Sequence, residues 1–212
     1  MFIVLGRTEG LRSSVRIIGR YKSEDELRDI FLTDRLRKPV RRPPRHCSEI
    51  YVFKVVDEDD EDTWYLVSFD ISRHDLGRKP SKEYTIVKES MLLRFCIHID
   101  FSTYLCPVDS SDVPQQFTDR VEVYRVKPWN DRTLNRMREL MVDTLNFVVG
   151  KLAMGSNVRG GAAKRKAERI WRDMRFIDDP LVWRKIEKIA GERLREIMKT
   201  VLVIKALAEK RK

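Results

Sequence analysis

Residues 120–152 read RVEVYRVKPWNDRTLNRMRELMVDTLNFVVGKL. Up to Val126 the residues are those of a strand, β-branched and aromatic side chains separated by charges. From Pro128 the apolar period changes from 2 to 3.6. Asn130 stands where a helix N-cap belongs. Leu134, Met137, Met141, Leu145, Val148 and Leu152 then recur on one helical face. This change of period divides the chain. It predicts an α+β fold: an antiparallel sheet of about five to six strands with one N-terminal helix over 1–127, then a helical unit of three helices over 128–212.

Upstream of the switch, Phe2 to Leu5 and Ser14 to Tyr21 read as strands. Ser23 followed by Glu26 forms a capping box, which opens a helix that must stop before Pro39. Glu49–Val56 and Thr63–Ser72 read as the two arms of a hairpin, with the six acids DEDDED at 57–62 as its solvated, self-repelling tip. Tyr84 to Val87 reads as a short strand. Met91, Leu93, Phe95, Ile97, Ile99 and Phe101 alternate with Leu92, Arg94, Cys96, His98 and Asp100, the pattern of one long strand.

Downstream, MGSNVRGG ends the first helix, and a basic helix follows from about Ala162 to Met174. Asp179 before Pro180 is an N-cap with proline at the first helical position. A single helix is expected from there to about Glu209. Ala190, Leu194, Ile197, Val201, Ile204 and Ala208 recur along it at 4-3-4-3-4 spacing, which suits a dimer seam or a core helix covered on two sides. Homodimerisation through 180–209 is the expectation.

Across 212 residues, Lys+Arg number 43 against 33 Asp+Glu, a formal charge of +10. Such a surface attracts phosphate polymers or anionic lipid. Abundant charge of both signs, with Gln115 and Gln116 the only glutamines, suits a heat-adapted source. The three cysteines are odd in number and include no CxxC pair, so neither a disulfide framework nor a zinc site is expected. Cys96 and Cys106 read as small core residues. The opening MFIVLGRTEG is too soon interrupted by charge for a secretory signal. No run reaches 18 apolar residues, so no membrane span is expected. These readings together predict a cytoplasmic chain with no cofactor and no metal.

The positive charge is clustered. Residues 35–45, RLRKPVRRPPR, hold six cations and no acid. Arg37, Lys38, Arg41, Arg42 and Arg45 on this proline-stiffened arm are spaced to follow a phosphate backbone. Residues 155–175 hold seven cations against two acids. Arg159, Lys164, Arg165, Lys166, Arg169 and Arg172 are the binding candidates there. A P-loop is excluded, because Gly161 and Ala162 stand where lysine and Ser/Thr must be. Trp64, on a mixed strand face with Ser68 and Asp70, is a candidate for stacking on bases, and Arg94 for a phosphate contact.

The leading expectation is therefore a non-enzymatic nucleic-acid binding protein, single strands favoured, of a viral or plasmid context. A second reading is a metal-dependent nucleic-acid enzyme, in which Asp70, His98 and Asp100 meet if their strands are neighbours. A third is a subunit of a larger nucleoprotein complex.

Overall fold

Seven strands form one antiparallel sheet in the order β2-β1-β3-β7-β4-β6-β5. They are β1 (Phe2–Thr8), β2 (Ser14–Tyr21), β3 (Cys47–Val55), β4 (Trp64–Phe69), β5 (Ile97–Asp100), β6 (Thr103–Cys106) and β7 (Val121–Pro128). The computed structural model describes residues 1–8, 14–28, 47–69, 82–100, 102–156 and 161–209. The helices are α1, described over 24–28, α2 (Lys82–Leu93), α3 (Asp112–Gln115), α4 (Asp131–Ser156), α5 (Gly161–Asp173), α6 (Pro180–Ala190) and α7 (Glu192–Glu209). A 3-10 turn, Arg175–Asp178, joins α5 to α6. The α+β class with a C-terminal helical region holds. The sheet has more strands than expected, and the helical region more helices.

Three starts are built as the sequence predicts. The Glu26 N–H donates to Ser23 Oγ, and the Glu26 carboxylate accepts from the Lys22 N–H, so α1 opens on a capping box displaced by one residue. Asn130 Oδ1 accepts from the Thr133 N–H at 2.9 Å and caps α4. Asp179 Oδ1 accepts from the Leu181 N–H at 2.9 Å and caps α6, with Pro180 at its first position.

Met137, Met141, Leu145, Val148 and Leu152 of α4 are buried against Ile3, Leu5, Phe53, Trp64, Leu66, Ile97, Leu105 and Val126 of the sheet. Ile186 and Ile189 of α6 and Leu194 and Val201 of α7 complete this core. The helical region and the sheet therefore share one interior. Thr133 Oγ1 accepts from the Val52 N–H at 2.9 Å and ties the start of α4 to β3. The opposite face of the sheet carries two smaller cores. Leu27 of α1 covers Phe2, Val4 and Val52. Val87 and Met91 of α2 cover Tyr65, Val67, Phe69 and Tyr104.

The sheet is strongly curled. Arg20 is level with Pro128 through Ile3 and Phe53. In a flat sheet Glu122 would lie about 14 Å to the side and about 20 Å along from it, beyond the reach of an arginine. Yet Arg20 pairs with Glu122, and its guanidinium lies 5.5 Å from the centre of the Tyr124 ring. The edge strands β2 and β5 also meet.

Five local expectations are corrected. The arms 49–56 and 63–72 form no hairpin, because β7 lies between β3 and β4. Val55 and Trp64 both face Val126, one from each side. Both strands run antiparallel to β7 and hence parallel to each other, so residues 56–63 must cross β7. Alternation shows which residues face together, but it does not name the strand alongside.

Tyr84–Val87 is not a strand, and Met91–Phe101 is not one strand. Residues 82–93 are helix α2, and β5 begins only at Ile97. The helix ends in a Schellman motif: the Phe95 N–H donates to the Leu92 carbonyl at 3.0 Å and the Cys96 N–H to the Met91 carbonyl at 3.1 Å. The left-handed position, φ 61, belongs to Phe95 instead of the usual glycine. Its ring is fully buried, 5.2 Å from Trp183.

The 180–209 helix is two helices, broken at Gly191, whose φ of 60 and ψ of −147 favour glycine. Cys96 and Cys106, at matching ends of the β5–β6 hairpin, form a disulfide with Cα atoms 4.1 Å apart. Reading 91–101 as one strand concealed that hairpin, and with it the pairing. No helix among the described residues is long and apolar enough to cross a membrane.

Candidate nucleic-acid interface

Helix α5 keeps one apolar face. Ile170 is buried, Trp171 half-buried, and Met174 just beyond the helix end is buried in the main core. Its opposite face projects Arg165, Arg169 and Arg172 into solvent, and Lys166 is exposed at the edge of the apolar face. Residues 165, 169 and 172 fall on one side at i, i+4 and i+7, one helical turn apart. Arg169 lies 3.8 Å from Asp173. Arg165, Lys166 and Arg172 have no ion-pair partner among the described residues. The side chain of Lys164 lies outside the described set. So do Arg159 and the arm carrying Arg37, Lys38, Arg41, Arg42 and Arg45.

Two other candidates are committed to the interior. Trp64 is 2% exposed, packed in the core between sheet and helices. It offers no face to a base, because the strand face read as mixed is roofed by helices. Arg94 donates two hydrogen bonds to the Asp112 carboxylate, at 2.6 and 2.9 Å, and lies over the Phe176 ring. Arg175 approaches the same carboxylate at 3.7 Å. Arg94 holds the Asp112 carboxyl below the usual carboxylate range. This arrangement joins the end of α2, the start of α3 and the 3-10 turn.

The proposed acid–histidine group loses its premise. β6 separates β4 from β5, so the strands that end near Asp70 and carry His98 and Asp100 are not neighbours. The His98 ring stacks on Tyr104, with centroids 4.9 Å apart. Asp70 and the side chain of Asp100 lie outside the described residues. Among the described residues, no three His, Cys, Asp or Glu side chains gather to hold a metal ion.

The acidic segment 57–62 is not a free tip. It crosses β7 and docks on cations of β7 and α6. The Asp57 carbonyl accepts from Arg125 at 3.1 Å. Asp59 accepts from the Tyr65 hydroxyl and lies 3.6 Å from Lys185. Asp60 pairs with Lys127 and accepts from the Thr63 hydroxyl at 2.9 Å. Glu61 pairs with Arg184 at 2.9 Å, and Asp62 with Lys188.

The electrostatics follow from these contacts. The hydrogen bonds from Lys127 and Thr63 hold the Asp60 carboxyl far below its ordinary range. Burial, with the Asp59 hydrogen bond second, pushes the Tyr65 phenol up to about 12. Burial lowers Lys185 against the pull of Asp59, while the bond from Asp62 raises Lys188. The Lys185 side chain is only 1% exposed.

The sequence reading missed this docking. One signal was present: Lys185 sits on the apolar face of its helix with Val182, Ile186 and Ile189, and a lysine there requires a buried partner.

The chain is thus an α+β protein whose curled antiparallel sheet is covered by a helical layer that turns a cationic helix outward. Compared with protein-family models, curated proteins and solved structures, it matches none.

Proposed function

We propose that the protein binds nucleic acid through its phosphates, without catalysis, using the outward face of α5. The observation that carries this reading is the contrast between cations. Arg94, Lys127, Arg175, Arg184, Lys185 and Lys188 each meet a carboxylate. Arg165, Lys166 and Arg172 stand exposed on one helix and meet none among the described residues. Releasing counterions from a polyanion is what such a stripe does well. Arg159, Lys164 and the basic arm extend the same contact in this reading. With Trp64 buried, affinity rests on backbone contacts, and the preference for single strands loses its stacking argument.

The test is a salt series with labelled single-stranded and duplex oligonucleotides. Binding should be firm at ~50 mM salt and weaken steeply as salt rises. Replacing Arg165 and Arg172 by alanine should flatten the log K against log[salt] slope by about 1.4 on single strands and about 1.8 on duplex. No binding at ~50 mM, or an unchanged slope in the variant, would reject the interface.

A further inference from the structure

The four successive acids Asp59, Asp60, Glu61 and Asp62 each meet a cation from β7 or α6. The four pairs are not equivalent. Asp59 and Asp60 form the root of the loop, held by Tyr65, Thr63, Lys127 and the buried Lys185. The Asp57 carbonyl adds a further tie to Arg125. Glu61 and Asp62 form the rim. Their side chains remain 57% and 49% exposed, and those of Arg184 and Lys188 remain 66% and 56% exposed. Exposed pairs of this kind contribute little to stability, so the rim adds little to an anchorage the root already supplies. What the rim does is occupy two cations that stand one turn apart on the open face of α6.

We propose that Arg184 and Lys188 form a second phosphate-binding site for a nucleic-acid strand, and that Glu61 and Asp62 are an internal phosphate mimic that screens it. The inference rests on the nucleic-acid reading of α5 and adds a second contact region with its own gate. An incoming strand exchanges two weak carboxylate contacts for phosphate contacts. The root of the loop stays seated while the rim moves aside.

The experiment compares the wild-type chain with Glu61→Gln/Asp62→Asn, using a labelled single-stranded oligonucleotide across a salt series. The double variant should bind roughly tenfold or more tightly at ~100 mM salt, and its slope should steepen by about 1.4, two added phosphate contacts. The single change Asp62→Asn should give about half the steepening, and it serves if the double variant folds poorly by circular dichroism. Adding Arg184→Gln/Lys188→Gln to the double variant should return the slope to the wild-type value.

Unchanged affinity and slope in Glu61→Gln/Asp62→Asn, alongside weakened binding in the α5 variant, would overturn this site and leave the α5 interface standing. Tightening that survives loss of Arg184 and Lys188 would also overturn it, because the quadruple variant has the wild-type net charge and the gain would then need neither cation. Absence of binding by every form at ~50 mM would remove both readings.

Discussion

Tyr65 shows how one side chain reports on the docking of the acidic loop. Burial first, and the hydrogen bond its hydroxyl donates to Asp59 second, push its phenol up to about 12 from an ordinary 10.0. Between those values the unfolded phenol loses its proton while the folded one keeps it. The folded state then holds more protons, so stability falls as pH rises through that window. Tyr65→Phe should remove this part of the alkaline loss. Denaturant melts of both proteins from pH 9 upward measure it, and parallel pH profiles would show that Tyr65 is not coupled to the loop. Lys185 acts in the opposite sense. Its lowered folded pKa relieves a burial cost as pH rises toward the ordinary lysine value. The two contributions are separable because only one disappears with the Tyr65 hydroxyl.

At the scale of elements, the end of α2 is decided by Phe95. A left-handed conformation costs a bulky residue about 1–2 kcal/mol, and burial of the ring against Trp183 offsets it. Phe95→Ala should lose about 3–5 kcal/mol. Phe95→Gly should lose about 1 kcal/mol less than alanine despite its smaller side chain, because glycine accepts φ 61 without strain. Chemical denaturation of both variants checks the order, and alanine as the milder change would contradict the Schellman assignment. The same element explains why α2 was illegible. Its stop carries no glycine, and the alternation of Leu93, Phe95, Ile97 and Ile99 continues across the helix end into the same core. Gly191 carried a readable break signal, but the heptad spacing on both sides of it outweighed that signal. The stripe expected as a dimer seam is largely spent within the chain, since Leu194 and Val201 are fully buried. Leu202, Val203 and Leu207 remain exposed on the other side of α7.

For the whole molecule, the Cys96–Cys106 bridge closes a separation of 10 residues across the β5 edge of the sheet. A loop of that size restricts the unfolded chain by about 2.7 kcal/mol in the chain-entropy account. Cys96→Ala/Cys106→Ala should lower unfolding stability by about that amount under oxidising conditions, and the two proteins should converge once reductant opens the bridge in the wild type. Equal stability of wild type and variant before reduction would remove the bridge from the stability argument. The amino-acid sequence by itself determined the α+β class, the switch at Pro128, the buried face of α4 and the caps at Ser23, Asn130 and Asp179. Those features depend on neighbours within a turn or two, where spacing and hydrogen-bonding chemistry are local. Only the tertiary structure decided that β7 separates β3 from β4, that Trp64 and Arg94 turn inward, and that the acids at 57–62 rest on α6. Each of those outcomes joins residues about 20 to 125 positions apart, and no local period encodes which distant strand or charge will lie alongside.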